Sequence, residues 1–405
     1  MLLRPEPKYV IIDRVIMSTL TFNKEEFKAS DKKSLLYLPG LNGLRAIAAL
    51  AVVISHITLG LDAFGLDNTI LNTDSSGKAK GLSLAANGVT IFFNLSGFLI
   101  TYLLLKEKEK NEISISKFYM RRALRIWPLY YLYFFCALIV LWAYDLSYVS
   151  SSIPFYIFLA ANIPLIIGKS IPLLTHYWSL GVEEQFYLFF PHLAKLNFQR
   201  FYKGVALLFV VLLVVRFLSW MAFVKYDYEL LYRITGIIRF HCMLIGAGAA
   251  ILYYERNQLF YSISTAKISQ FISWGIIVLI LFNKFKVPSV IEAEVVSVVT
   301  VILIMGQVTG RNKVVSLENR PCDLIGKISY GIYVIHPVLI LLFSRIIGKV
   351  QNHSVIAYIG VYSLIMSSTL LLAYISYEYF EKWFLMIKRK YEVVKSSNTK
   401  SANIG

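Results

Sequence analysis

The sequence predicts an all-α polytopic membrane protein with about ten transmembrane helices and a short proline-broken segment that is re-entrant or lies at the membrane surface. Three observations support this fold class. Of the 405 residues, 57% are hydrophobic, and the mean hydropathy is +0.61. Only 16% are charged, whereas soluble domains carry about 25%. The 41 basic residues outnumber the 24 acidic ones, and many of them fall in short connections between apolar runs, as the positive-inside rule predicts.

The apolar runs set the number of spans, because a helix needs about 20 mostly apolar residues to cross a bilayer. A further run at 153–168 is short and interrupted by Pro154 and Pro164, so we expect it not to cross. The ten predicted spans are about 44–61, 87–105, 124–144, 177–194, 204–224, 234–254, 268–283, 292–309, 328–348 and 356–386.

Loop charge predicts the orientation of these spans. Basic residues cluster after the second, fourth, sixth, eighth and tenth spans, and these loops share one side only if 153–168 does not cross. We therefore expect a multi-pass protein of the plasma (inner) membrane with both termini in the cytoplasm. Lys284 and Lys286 are the exception, since this topology places them outside. The predicted organisation is a cytoplasmic N-terminal tail (1–37), a membrane domain (38–386) and a cytoplasmic C-terminal tail (387–405).

Composition also restricts the partners. The net charge of +17 would favour nucleic acid in a soluble protein, but the positive-inside rule explains it here, and no nucleic-acid partner is expected. Cys136, Cys242 and Cys322 are odd in number and lack metal-ligand spacing. We therefore expect neither a disulfide framework nor a metal site.

The first span contains two residues that are costly in hydrocarbon, Arg45 and His56. Eleven residues make about three helical turns, so both side chains lie on one face, about 16 Å apart along the axis. If Arg45 lies at the membrane boundary, His56 lies near the midplane. An ionisable residue at that depth indicates a functional site. The alternative is a structural histidine bonded to a backbone carbonyl.

The fourth span begins with a polar face. Ser179, Glu183 and Tyr187 are each four residues apart, a spacing that aligns them on one side of a helix. A carboxylate inside the membrane requires partners or a polar cavity. The alternative, stabilisation by the positive end of the helix dipole, fits Glu184 better than Glu183.

Two further motifs contain candidate residues. Arg121, Arg122 and Arg125 form a cationic cluster suited to phosphate, although the positive-inside rule also predicts basic residues there. His336 lies about midway along the ninth span, before Pro337. A structural role for His336 is as well supported as a catalytic one.

Together these stretches resemble acyltransferase family 3, the integral-membrane O-acyltransferases that act on cell-surface glycans. The resemblance covers about residues 38–385 and differs from the usual family pattern at Asn42 and near Glu381-Lys-Trp383. The matching motifs, in chain order, are Arg45-x10-His56, Phe93-Asn-Leu-Ser-Gly-Phe-Leu-Ile100, Arg121-Arg122-x-x-Arg125-x-x-Pro128, Trp178-Ser179-Leu-x-x-Glu183-x-x-Phe186-Tyr187 and Ser329-Tyr-x-x-Tyr333-x-x-His336-Pro337.

The resemblance implies transfer of an acyl group, usually acetyl, from cytoplasmic acyl-CoA to a hydroxyl of an extracytoplasmic or lipid-linked glycan. Acyl-CoA (acetyl-CoA) is then a co-substrate, and no permanently bound cofactor is expected. We expect His56 to act as general base and Glu183 to orient it, and a covalent acyl-histidine route stays open. The expected donor-binding residues are Arg45, Arg121, Arg122 and Arg125. Acceptor binding or structural support is expected of Trp178, Ser179, Tyr187, Tyr333 and His336.

A transporter or flippase of a polar lipid or solute is the main alternative, because intramembrane His, Glu and Arg also mark transport paths. Against it, the sequence shows no inverted repeat and no matching pair of broken helices. The sequence leaves open the acceptor, the acyl chain length and whether the protein forms a homodimer. Besides acyl-CoA and the glycan acceptor, the lipid bilayer is the remaining expected partner.

Overall fold

The computed structural model describes residues 37–70, 73, 77, 81–110, 113–351 and 353–394. These residues form an all-α bundle without a β-strand. The predicted N-terminal tail lies outside the described residues except for Tyr37, and most of the C-terminal tail also lies outside them. The boundaries predicted for these tails remain predictions.

Sixteen α-helices are described. In chain order they are α1 (Leu41–Leu59), α2 (Gly81–Lys110), α3 (Ile115–Ala143), α4 (Ile153–Ile157), α5 (Asn162–Ile166), α6 (Trp178–Lys195), α7 (Phe198–Tyr226), α8 (Glu229–Ile237), α9 (Phe240–Tyr254), α10 (Gln258–Ser264), α11 (Lys267–Leu281), α12 (Glu292–Thr309), α13 (Arg320–Lys327), α14 (Ser329–Ile347), α15 (Val355–Ser376) and α16 (Lys382–Lys388). A π-helical turn, Tyr377–Glu381, joins α15 to α16.

The all-α polytopic fold is confirmed, with a smaller number of clear spans than the ten predicted. Within the described residues, eight helices are long and apolar enough to cross a membrane, or nine if the bent pair α10–α11 forms one span. The remaining predicted span, 177–194, does form a helix, α6, of 18 residues. It is less apolar than the others because it contains Glu183, Glu184 and Lys195.

The proline-broken run at 153–168 forms two single-turn helices, α4 and α5. Five residues of helix extend only about 7 Å, so neither turn can cross the hydrocarbon. The prediction that this segment does not cross as a helix is therefore confirmed. Asn162 in α5 exchanges two hydrogen bonds with Gln185 in α6, at 2.8 and 3.1 Å, which fixes the segment against the bundle.

Helix α2 lies at the centre of the bundle and packs most extensively against α9 and α1. In its most apolar stretch 78% of residues are buried, compared with 11% in α7, which presents its apolar side chains outward.

Close packing of α2 and α9 depends on glycine. A Cβ at Gly97 would lie 1.9 Å from the Met243 carbonyl oxygen, and one at Gly246 would lie 2.2 Å from the Asn94 carbonyl oxygen. Small residues allow helix backbones to approach in this way.

Helix α3 begins at Ile115, earlier than the predicted span at about 124, and continues through Pro128. The arginine cluster therefore belongs to the same rigid helix as the apolar span. Its N-cap is Ser114, whose side chain accepts a hydrogen bond from the Lys117 backbone. This arrangement fixes the arginines relative to the membrane interior.

Candidate functional site

A cavity of about 780 Å³, including its mouth, lies between α1, α2, α3, α6 and α14. Of the eleven site residues predicted from the sequence, four (His56, Arg121, Trp178 and His336) lie outside its lining. Seven line the cavity: Arg45, Arg122, Arg125, Ser179, Glu183, Tyr187 and Tyr333. Helices distant in sequence therefore bring most of the predicted residues to one space.

One end of the cavity is cationic. Arg45, Arg122 and Arg125 line it, and the Arg122 guanidinium lies 5.8 Å from the ring centres of both Phe118 and Tyr187. Arg122 Nε is buried and has no hydrogen-bond partner among the described residues. An arginine supported by aromatic faces, with a donor still unused, suits an anionic ligand.

Arg121 was predicted to bind the donor with its neighbours, but it points elsewhere. It forms a 2.5 Å ion pair with Glu107 at the end of α2 and donates to the Tyr391 carbonyl oxygen at 2.9 Å. The spacing alone left two arginine pairs on common faces, Arg121 with Arg125 and Arg122 with Arg125. The structure brings the second pair to the cavity, whereas Arg121 links the last turns of α2 to Tyr391.

A smaller side cavity of about 380 Å³, including its mouth, shares Arg45, Arg125 and Tyr330 with the main one. Glu381, the last residue of the π-helical turn, also lines it and accepts a hydrogen bond from Ser376 at 3.2 Å. Asn42, where the sequence departs from the family pattern, donates to Asp323 at 3.0 Å and accepts from Arg45 at 3.4 Å. Asn42 therefore helps to position an arginine of the cavity.

Glu183 lies in the middle of the cavity wall. Ser96 donates to its Oε1 at 2.8 Å and Tyr187 donates to its Oε2 at 3.3 Å. Ser96 belongs to the Phe93–Ile100 motif but was not predicted as a site residue, because several other polar side chains lie in the same span and nothing in the sequence distinguishes Ser96 from them. Glu184 points away and accepts from Trp127 at 3.1 Å.

The inner end of the cavity is formed by Ser179 and Tyr333, whose hydroxyl oxygens lie 2.6 Å apart. Tyr333 donates to the His176 carbonyl oxygen at 2.8 Å, so its own oxygen can accept from Ser179. Trp178, predicted for acceptor binding or structural support, packs against Phe93 and beneath the Arg239 guanidinium. Trp178 therefore supports the wall from behind.

Three histidines gather beyond Tyr333. His56 Nδ1 lies 2.7 Å from His336 Nε2, and the two rings stack with centres 4.9 Å apart. The ring of His176, which sequence reasoning did not select, lies 5.4 Å from that of His336. We expected Glu183 to orient His56. In the described part of the chain the imidazole is bonded to His336 instead, 280 residues away in sequence.

Comparison with known proteins places these features in a family. A family model described as an acyltransferase domain (Acyl_transf_3) matches residues 38–378. The chain is 27% identical over 387 residues to the O-acetyltransferase OatA of Staphylococcus aureus (strain NCTC 8325 / PS 47), covering 88% of this chain and 59% of the relative. It is also 27% identical over 402 residues to the putative O-acetyltransferase SAR0937 of S. aureus (strain MRSA252), covering 92% and 60%.

The chain thus spans about three fifths of the length of these relatives. No solved structure matches it. The family match covers most of the chain and includes every helix that contributes to the cavity. The chain is therefore a multi-pass membrane protein that belongs to acyltransferase family 3.

Proposed function

We propose that this protein is a membrane O-acetyltransferase that moves an acetyl group from cytoplasmic acetyl-CoA to a hydroxyl of a glycan at the opposite face of the membrane. The main supporting observation is the continuous cavity. It joins three arginines at one end to Ser179 and Tyr333 at the other, with the His56–His336 pair beyond them. Relatives named O-acetyltransferases support the acetyl group.

The arginine end is the proposed donor site. The phosphates of acetyl-CoA are anions, and Arg122 retains an unused buried N–H that could donate to them. Loop charge supports a cytoplasmic position for this end, in an inner-membrane protein with both termini in the cytoplasm. The pantetheine arm would then extend through the cavity and carry the thioester toward Tyr333.

In the proposed reaction His56 acts as general base. It takes the proton of the acceptor hydroxyl while the hydroxyl oxygen bonds to the thioester carbonyl carbon. The carbon–sulfur bond then breaks, and the thiolate receives the same proton from His56. A positioned base of this kind contributes about 10²–10⁴-fold in rate. We assign Glu183, whose partners are Ser96 and Tyr187, to the wall of the passage that the donor follows between the arginines and Tyr333.

The decisive experiment is transfer of label. Purified protein in nanodiscs is incubated with acetyl-CoA radiolabelled in the acetyl group and with a panel of glycans, and products are separated by chromatography. We expect label covalently bound to a glycan and free CoA in equal amount. Movement of solute or lipid across proteoliposomes without any covalent transfer would instead support the transporter alternative.

The donor site gives a separate prediction. Arg125→Ala and Arg122→Ala should each weaken acetyl-CoA binding by about 1.5–3 kcal/mol, the contribution of a hydrogen bond to a charged group. Isothermal titration calorimetry of the purified protein measures this change. Arg200→Ala is the matched control, because Arg200 is exposed and lies outside both cavities. Equal affinity in all three variants would remove the arginines from the donor site.

A further inference from the structure

The His56–His336 pair has a defined order of donors and acceptors. His336 Nδ1 lies 3.1 Å from the Ile332 carbonyl oxygen, one turn earlier in α14. A carbonyl oxygen can only accept a hydrogen bond, so His336 Nδ1 must carry a proton. In a neutral imidazole the other nitrogen then has a lone pair. His336 Nε2 is therefore the acceptor in the 2.7 Å contact with His56.

The same reasoning fixes His56. Because His336 Nε2 accepts, His56 Nδ1 must donate and therefore carries the proton of the neutral ring. The lone pair of His56 is then on Nε2, which forms no hydrogen bond with any described residue. A histidine acts as a base through its unprotonated nitrogen. The pair thus presents one nitrogen, His56 Nε2, as the proton acceptor.

We infer that His336 is a positioning residue that holds His56 in the tautomer with the proton on Nδ1 and the lone pair on Nε2. This inference rests on the proposed function only in its consequence for rate, since the tautomer is a property of the resting protein. His336 does for His56 what a carboxylate does for the histidine of a serine-protease triad. Unlike that carboxylate, His336 is neutral.

The environment of His336 supports a fixed role. Its side chain is 0% exposed, so water cannot replace its hydrogen bonds. The ring is packed between those of His56 and His176, with centres 4.9 and 5.4 Å away. Rotation of the ring would leave both the Ile332 carbonyl oxygen and His56 without their present partners, at the cost of unsatisfied buried polar groups.

The pair also accommodates the proposed reaction without moving a second proton. When His56 Nε2 takes the acceptor proton, Nδ1–H continues to donate to His336 Nε2, and His336 Nδ1–H continues to donate to Ile332. The proton on Nε2 then passes to the departing thiolate, and the pair returns to its first state. His336 therefore orients the base without becoming protonated.

The test measures the tautomer directly. Protein with ¹⁵N-labelled histidine is studied in liposomes by solid-state NMR, and the His56 signals are identified by their loss in His56→Gln. We expect a protonated Nδ1 and an unprotonated Nε2 in the wild type. In His336→Leu, which removes the acceptor, we expect the Nε2–H tautomer to appear. His192→Leu is the control, because His192 bonds to Tyr119, away from the pair, and the His56 signals should not change.

Steady-state kinetics give a second test of the positioning role of His336. His336→Leu should lower kcat by at least about 10²-fold, since a base in the wrong tautomer costs about 10⁴-fold in a serine protease. The KM for acetyl-CoA should stay the same. His336→Gln, whose side-chain oxygen can accept from Nδ1, should restore part of the activity.

A wild-type His56 protonated on Nε2, or a tautomer unchanged in His336→Leu, would overturn the inference. If the leucine variant fails to fold, the wild-type spectrum can still overturn the inference, and the His336→Gln variant tests the role of His336. If the wild type has the expected tautomer but transfers no acetyl group, the proposed function fails and the inference about His336 stands.

Discussion

His56→Gln should remove most acetyl transfer while acetyl-CoA still binds. Glutamine keeps much of the side-chain volume and some hydrogen bonding but lacks a nitrogen that can take a proton, so the loss should be about 10²–10⁴-fold, the usual contribution of a positioned base. Turnover of radiolabelled acetyl-CoA and calorimetric binding are measured on the same preparation. His192→Gln makes the same chemical change at a histidine that bonds to Tyr119, away from the His56–His336 pair, and should keep full activity.

A folded His56→Gln variant with wild-type turnover would reject the base assignment. The double variant His56→Gln/Glu183→Gln tests whether His56 and Glu183 act together or independently. Residues that act as one unit give losses that do not add, and this is the result that an orienting role of Glu183 for His56 would give. Because Glu183 is bonded to Ser96 and Tyr187 and His56 to His336, we now expect the two losses to be nearly additive.

Gly246→Ala should destabilise the whole bundle. The new Cβ would lie 2.2 Å from the Asn94 carbonyl oxygen and 2.9 Å from the Phe98 backbone nitrogen, and backbone cannot move aside as a side chain can. Overpacking of this kind costs about 1–3 kcal/mol or more. The loss should appear as a lower unfolding temperature in detergent, followed by tryptophan fluorescence.

Gly248→Ala is the matched control for this prediction. It lies two residues along the same helix, and a Cβ there would meet nothing within 4 Å. Alanine is favoured over glycine in a helix by about 1 kcal/mol, so this variant should be as stable as the wild type or more so. Equal unfolding temperatures for the two variants would contradict the packing of α2 against α9.

Much of the fold could be predicted because hydrophobicity is a local property. Each span was recognisable from its own residues, and the prolines at 154 and 164 explained why 153–168 forms only single helical turns. Charge made it harder to predict whether α6 lies within the membrane, because Glu183 and Glu184 are costly in hydrocarbon unless they have polar partners. Those partners, Ser96 and Trp127, come from other helices.

The arrangement of the site was less accessible to sequence reasoning. Periodicity shows which residues share a face of one helix, but not which face meets the cavity, so Arg121 and Arg122 were indistinguishable. The partner of His56 depends on how α1 and α14 are placed side by side. Glu183 seemed the natural choice because carboxylates commonly orient histidines, whereas the structure uses a second histidine.

The separation of the arginines from His56 has a consequence for energetics in a living cell. Moving one elementary charge across a membrane potential of 100 mV involves about 2.3 kcal/mol. In the reaction we propose, the phosphates stay beside Arg45, about 16 Å along α1 from His56, and only a neutral acetyl group passes to the far side. The proton taken from the acceptor returns locally to sulfur. Transmembrane voltage therefore neither drives nor opposes the transfer, and the free energy comes from the thioester alone.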